Sequence, residues 1–255
     1  MVERHGFVWV WPGDAARADA ATIPACPWAD SPDWAYGGGL FHIGCDYRLM
    51  VDNLMDLSHE TYVHASSIGQ KEIDATPTTT KTVGDAVSTS RFMDNIEPPP
   101  FWKMALRGNH LPDDQAVDRW QICHFAPPSL VMIEVGVALA GQGGYHADAK
   151  VKASSIVVDF ITPETDTSIW YFWGMARNFN ARDKALTASI RDGQAKIFSE
   201  DLEVLERQQR NLLKLDIDAG GVQARRVLER LIAAEQASAI PPASAAATAA
   251  PTSAA

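Results

Sequence analysis

Asn53, Asp56, His59 and His64 form the pattern in this sequence that could carry out chemistry. Residues spaced by three lie on nearly the same face of an α-helix, so the first three share one stripe. The leucine and methionine residues around them predict a buried helix. Buried polar side chains without partners each destabilise a fold by about 1 to 3 kcal/mol. The stripe therefore indicates a metal ion, mutual hydrogen bonds or ordered water.

The spacing of the two histidines narrows the choice of ligand. His59 and His64 are five residues apart, which separates them by about 140° on a regular helix. They can share a ligand only if the helix bulges, tightens or ends between them, so we expect a bend near residues 61–63. The zinc peptidase pattern His-Glu-x-x-His is one residue shorter, although Glu60 follows the first histidine. Two histidines and one carboxylate, with open positions, are typical of non-haem Fe(II) oxygenases, which is the preferred interpretation.

The pattern Asn-x-x-Asp-x-x-His-x-x-x-x-His resembles the mononuclear-iron motif of Rieske-type aromatic-ring oxygenases. Residues 47–66 are similar to the oxygenase components of vanillate O-demethylases, and similar blocks recur at 157–165, at 170–179 and around Glu200 and Asp201. The resemblance extends over nearly all of residues 2–236. It implies that the iron ligands are His59, His64 and Asp201. It also implies that Asp56 forms a bridge to the electron donor and that Asn53 helps to orient the ligands.

The family implies an α+β helix-grip fold, in which a twisted antiparallel sheet wraps around a long C-terminal helix. It also implies an Fe(II) monooxygenase that O-demethylates an aryl methyl ether. The expected substrate is vanillate, which would give protocatechuate and formaldehyde, with another methoxybenzoate as the alternative. Electrons would come from NAD(P)H through a reductase and the [2Fe-2S] Rieske cluster of a neighbouring subunit in a homotrimer.

The cluster of this family is held by two histidines and two cysteines in an N-terminal domain of roughly a hundred residues. The sequence before Asn53 supplies no such set. We therefore expect a catalytic domain without its Rieske domain, inactive on its own. A truncated gene, a misassigned start or an excised fragment would each explain this.

Asp201 is also selected by its position on a predicted helix. From residue 183 to about 213 the apolar positions recur as an amphipathic helix requires. Asp201 lies four residues after Ile197 and four before Leu205, where an aliphatic side chain is expected. Three neighbouring glutamates are interpreted instead as solvated charges: Glu200, Glu203 and Glu206.

Length, composition and charge limit the number of domains, the kinds of partner and the cellular location that we expect. The chain has 255 residues, 46% of them hydrophobic, so residues 1–236 can bury the core of one domain. Its net charge of −10 argues against nucleic acid as a partner. Three cysteines without Cys-x-x-Cys spacing favour a reducing, cytoplasmic location, and no apolar run is long enough to span a membrane. Residues 237–255 consist of Ala, Ser, Thr, Pro and little else, which predicts a disordered tail.

Alternating and β-branched segments predict the strands. The candidates are residues 78–83 and 86–93, which form a hairpin around Gly84, followed by 119–125, 130–139, 154–162 and 168–178. A short strand near residues 41–47 would precede the buried helix that carries Asn53 and Asp56. Residues 15–39 and the proline-rich segment 98–102 are predicted to be irregular loops.

The resemblance and the residue types also indicate candidate substrate contacts. Asp159 and Gly193 correspond to positions where the related dicamba demethylase has His and Trp in contact with its substrate, which argues against a pocket for that chlorinated acid. His124, on an alternating strand, is a further pocket candidate. A guanidinium suits a substrate carboxylate, which makes three arginines candidates: Arg107, Arg119 and Arg177.

Two other functions remain open at this point. The chain could be a helix-grip module that binds a small aromatic ligand without turnover, because iron would receive no electrons. It could also be a zinc hydrolase that uses Glu60 as its base.

Overall fold

Seven of the predicted strand segments join in one antiparallel sheet. The computed structural model describes residues 1–208 and 219–239. The order in the sheet is β3-β9-β8-β7-β6-β5-β4, and a separate hairpin, β1 and β2, precedes it. The strands are β1 Val2–Arg4, β2 Phe7–Trp9, β3 Ala35–Ile43, β4 Thr79–Val83, β5 Ala86–Ile96, β6 Val117–Ala126, β7 Leu130–Leu139, β8 Lys152–Thr165 and β9 Ser168–Arg177.

The helices lie mainly on one side of this sheet. They are α1 Tyr47–Met55, α2 Glu60–Val63, α3 Glu72–Ala75, α4 Pro100–Gly108, α5 Lys184–Arg207 and α6 Ala219–Ala239. Asp183 caps α5 by accepting a hydrogen bond from the Leu186 backbone N–H, which fixes where the long helix begins. Among the described residues, no helix is long and apolar enough to cross a bilayer.

The main core lies between the sheet and α5. Inward side chains such as Val157 and Tyr171 pack with Ile197 and Phe198 of α5, whereas the next residues in β8, Val158 and Phe160, face outward. This outer face is covered in part by the N-terminal hairpin, whose Phe7 ring lies 4.8 Å from that of Phe160. The predicted α+β helix-grip fold is therefore confirmed.

The prediction that residues 15–39 are irregular is wrong for the last five residues, because β3 begins at Ala35. This strand includes three consecutive glycines at positions 37–39. These glycines allow close packing. A Cβ at Gly38 would lie 2.3 Å from the Trp173 carbonyl oxygen, and one at Gly39 would lie 2.7 Å from the Trp173 indole. The glycines thus let β3 lie tightly against β9.

The proline-rich segment was also interpreted wrongly as a loop. Pro100 begins α4, where its fixed φ suits the first helical position and its missing N–H leaves no intrahelical bond unmade. The helix buries Phe101 and Trp102 against the core. Helix α6 includes residues 237–239, which are the first three residues of the predicted tail. The last residues of the predicted long helix, 209–213, and the tail from residue 240 onward lie outside the described residues.

Candidate metal centre and adjoining cavity

The two histidines lie on either side of a single helical turn. Helix α1 ends at Met55 with Asp56 as its C-cap, and the one-turn helix α2 lies between His59 and His64. The chain therefore leaves the helix before His59, which corrects the predicted bend at residues 61–63. This break, together with the short turn of α2, brings both imidazoles to the same point.

His59, His64 and Asp201 present their ligand atoms to one another as a nearly equilateral triangle. The Nε2 atoms of the two histidines are 3.2 Å apart. Asp201 Oδ1 lies 3.5 Å from His59 Nε2 and 3.4 Å from His64 Nε2. Such a triangle leaves a point about 2 Å from all three atoms, which is the bond length of divalent transition metals to nitrogen and oxygen. The donor set of two imidazoles and one carboxylate fits iron with open positions.

Two more side chains from the polar stripe surround this triangle. Asn53 Nδ2 donates a 3.0 Å hydrogen bond to Asp201 Oδ1, which orients the carboxylate. Asp56 Oδ2 lies 3.7 Å from His59 Nδ1, and Asp56 Oδ1 accepts a 2.6 Å hydrogen bond from the Ser58 backbone N–H. The Asp56 side chain is 24% exposed and that of Asp201 only 3%, so Asp56 lies between the metal site and the surface.

The carboxylates also change the protonation of His59. Burial opposes the charged imidazole, but the hydrogen-bonding and negative charges of Asp201 and Asp56 outweigh it and raise the pKa of His59 to about 10. Metal binding needs the neutral imidazole, so we expect metal affinity to fall as the pH is lowered.

Glu200 holds His64 from the side away from the triangle, which the sequence did not predict. Its carboxylate accepts hydrogen bonds of 2.9 Å from His64 Nδ1, Ser66 Oγ and Ser67 Oγ. The interpretation of Glu200 as a solvated charge is therefore wrong. A proton fixed on Nδ1 leaves Nε2 of His64 free to bind a metal ion.

We expect Glu200→Gln to lower metal affinity by about 10- to 100-fold, because the amide removes the charge that fixes and polarises His64. Anaerobic titration with Co(II), followed by its visible absorption, measures the change. Glu203→Gln is the matched control, since Glu203 forms an exposed ion pair with Arg207 on the same helix. Unchanged Co(II) affinity in Glu200→Gln would contradict this role.

A cavity adjoins the candidate metal centre, and its wall is mostly apolar. Ligand pockets are typically lined in this way, with a few polar groups that orient the ligand. The apolar wall includes side chains from the sheet and from both α4 and α5: Phe101, Trp102, Ile133, Val157, Met175 and Phe198.

Arg119 lines this cavity, but its guanidinium is engaged by protein groups. It donates to Glu60 Oε2 at 3.2 Å, to Gln70 Oε1 at 2.6 Å and to the Ile68 carbonyl at 2.9 Å. Gln121 Nε2 donates to both Glu60 oxygens. Glu60 also lines the cavity, and both of its oxygens accept hydrogen bonds in this network.

The structure does not bring His124 to the cavity. Strand β6 turns Arg119, Gln121 and Cys123 inward, so His124 lies on the opposite face. There it hydrogen-bonds Ser88 Oγ at 2.9 Å and Glu134 Oε1 at 3.0 Å. The expectation that His124 lines the pocket is corrected accordingly.

Asp159 and Gly193 lie behind the cavity wall. Asp159 is fully buried and accepts a hydrogen bond from the Tyr171 hydroxyl. Burial, and to a lesser degree the charge of Asp201, raises the pKa of Asp159 to about 8, against the effect of that hydrogen bond. Gly193 packs on the Phe101 ring, 3.2 Å from where its Cβ would be. Neither residue lines the cavity directly.

The other two candidate arginines have structural partners. Arg107 is exposed and pairs with Asp113. Arg177 is buried and donates to the carbonyl oxygens of Asn180 and Asp183, which holds the turn before α5. Neither reaches the cavity, which corrects their proposed role as carboxylate donors.

Comparisons with known proteins agree with this geometry. Residues 43–234 match the family described as the vanillate O-demethylase oxygenase C-terminal domain. The vanillate O-demethylase oxygenase subunit of Pseudomonas sp. (strain ATCC 19151) is 70% identical over 243 residues, which cover 92% of this chain and 74% of that protein. The oxygenase component of dicamba O-demethylase from Stenotrophomonas maltophilia is 31% identical over 225 residues, or 88% of this chain and 63% of that protein.

Solved structures show the same fold. The crystal structure of dicamba monooxygenase bound to 3,6-dichlorosalicylic acid superimposes with a TM-score of 0.84 at 29% identity, over 92% of this chain and 70% of that chain. Another structure of that enzyme contains non-haem iron and dicamba. The chain described here therefore belongs to the vanillate O-demethylase oxygenase family of Rieske-type non-haem iron oxygenases.

Proposed function

We propose that this chain is the catalytic part of a monooxygenase that removes the methyl group of vanillate. The observation that carries the proposal is the triangle of His59, His64 and Asp201 beside a mostly apolar cavity. The 70% identical relative is named for vanillate, which supports this methoxybenzoate over others. The catalytic domain would comprise residues 1–236, with 237–255 as a tail.

Fe(II) would be held by His59, His64 and Asp201. When bound there, it would supply the binding and reductive activation of O2. The chain's own groups prepare the site: Asn53 orients the Asp201 carboxylate, and Glu200 fixes the tautomer of His64. Asp56 would connect His59 to the electron donor, which its partial exposure beside that imidazole supports.

The reaction would consume one O2, two electrons and two protons for each methyl ether. One oxygen atom is inserted into a C–H bond of the methyl group, and the other leaves as water. The resulting hemiacetal breaks its bond to the phenolic oxygen, so vanillate would give protocatechuate and formaldehyde. The apolar walls exclude bulk water from the ring during this sequence.

The partners belong to the same proposal. Relatives are named as an oxygenase subunit and an oxygenase component, which supports a system of several proteins. Electrons would pass from NAD(P)H through a reductase to a [2Fe-2S] Rieske cluster and then to the iron of an adjacent subunit in a homotrimer. The expected setting is the cytoplasm.

Iron loading and a fusion protein test this function together. The 255-residue chain should bind about one Fe(II) anaerobically. With NADH and a reductase it should release no formaldehyde by itself, whereas a fusion to the Rieske segment of the Pseudomonas relative should release formaldehyde and protocatechuate from vanillate. A fusion with a reducible cluster and bound iron that yields neither product would contradict the proposal and leave a ligand-binding module. Retention of zinc in preference to iron would favour a hydrolase instead.

A further inference from the structure

The Gln194 side chain lies on the cavity wall with its amide available for hydrogen bonding. The residue is 5% exposed and lines the cavity beside Ile197 and Phe198. Its side chain forms no hydrogen bond with any residue that the structure describes. The amide therefore remains available for a hydrogen bond to a ligand in the cavity.

The position of Gln194 on α5 separates it from the metal centre. It precedes Asp201 by seven residues on the same face, which is two turns or about 10 Å along the helix axis. Side chains on a helix lean toward its N-terminus, which moves the amide further from the metal ligands. Gln194 therefore contacts the part of a bound ring that is remote from the reacting group.

The other amide side chains on the cavity wall donate N–H groups to carboxylates of the protein. Asn53 holds Asp201, and Gln121 and Arg119 hold Glu60. Asn53 and Gln121 thus use amide N–H groups within the protein, whereas Gln194 does not.

We propose that Gln194 binds the carboxylate of the aromatic acid and thereby sets which ring substituent faces the metal centre. The methyl ether must reach the metal site for demethylation, and in vanillate the carboxylate is the oxygen substituent remote from the methoxy group. The Gln194 amide would donate a hydrogen bond to it, and a hydrogen bond to a charged acceptor is stronger than one between neutral groups. This assignment rests on the function proposed above.

Three probe ligands distinguish recognition of the carboxylate from recognition of the ring hydroxyl group. They are vanillate, 3-methoxybenzoate, which lacks the hydroxyl group, and 2-methoxyphenol, which lacks the carboxylate. Dissociation constants are measured by calorimetry on the Fe(II)-loaded full chain without O2, so that turnover is not needed. Gln194→Leu should lower the affinity for vanillate and for 3-methoxybenzoate by about 10-fold or more, which is the effect of losing a hydrogen bond to a charged group. The affinity for 2-methoxyphenol should change by less than about twofold. Gln194→Glu, which is nearly isosteric, should weaken the two acids further by charge repulsion.

Gln142→Leu, at an exposed position, is the matched control and should bind all three probes as the wild type does. Equal weakening of all three ligands by Gln194→Leu, or no weakening, would overturn the assignment. Loss of 2-methoxyphenol binding with 3-methoxybenzoate unchanged would assign the amide to the ring hydroxyl and also overturn it. If the wild-type chain binds neither acid, the proposed function itself fails, which is a distinct result.

Discussion

Asp201→Ala is expected to lower metal affinity by more than about 100-fold and to abolish turnover. Removing a side chain that only supports a ligand already lowers affinity by about 10- to 100-fold, and Asp201 supplies one of three ligand atoms. The variant also leaves Asn53 Nδ2 without its acceptor. Co(II) titration and iron content after anaerobic dialysis measure the loss.

A second readout of the same variant does not depend on metal. Asp201 is one of two carboxylates that raise the pKa of His59 to about 10, so its removal should lower the pKa of that imidazole in metal-free protein, measured by NMR titration. Asp192→Ala is the control, because Asp192 is exposed on the same helix and pairs with the adjacent Arg191. Full iron retention by Asp201→Ala would refute the proposed site.

Arg119→Met should destabilise the fold by about 3 to 5 kcal/mol, which is the effect of removing one partner from a buried ion pair. The side chain is nearly inaccessible, and its loss leaves the Glu60 carboxylate buried with only Gln121 as a side-chain donor. Burial, ahead of the opposing charge of Glu60, lowers the pKa of Arg119, but a guanidinium remains charged at neutral pH. Urea-induced unfolding gives the free energy.

The double variant tests the cause of that loss. Glu60→Gln added to Arg119→Met should destabilise by less than the sum of the single changes, because the second substitution removes the stranded charge. Arg207→Met, in an exposed pair with Glu203, should change stability by less than about 1 kcal/mol. Strict additivity at the buried pair would show that Arg119 acts only through packing.

Where periodicity determined the structure, the sequence was informative. The hairpin around Gly84 and the later strands alternate clearly, and their predicted positions agree with β4 to β9. Asp201 interrupts an apolar stripe on α5, and the same signal could have found Gln194, four residues after Ile190. Alternation could not say which face of β6 is inside, so His124 was proposed for a cavity that Arg119 and Gln121 line instead.

Long-range partners explain the other differences. A glutamate at position 200 is typical of an exposed helix face. Its role becomes visible only from its contacts with Ser66 and Ser67, which lie more than 130 residues earlier in the chain. The segments 15–39 and 98–102, which are rich in glycine or proline, were predicted to be irregular loops. The glycines of β3 instead meet Trp173, and Pro100 occupies a helical position that tolerates it.

The single turn between His59 and His64 is anchored to the sheet through Glu60. The same four residues thus fix the spacing of two metal-binding imidazoles and secure a buried charge in the core. A ligand that binds only the folded chain stabilises it by mass action, so metal supply and resistance to heat become linked quantities. Under the proposed function, loss of iron would therefore lower the melting temperature of this domain.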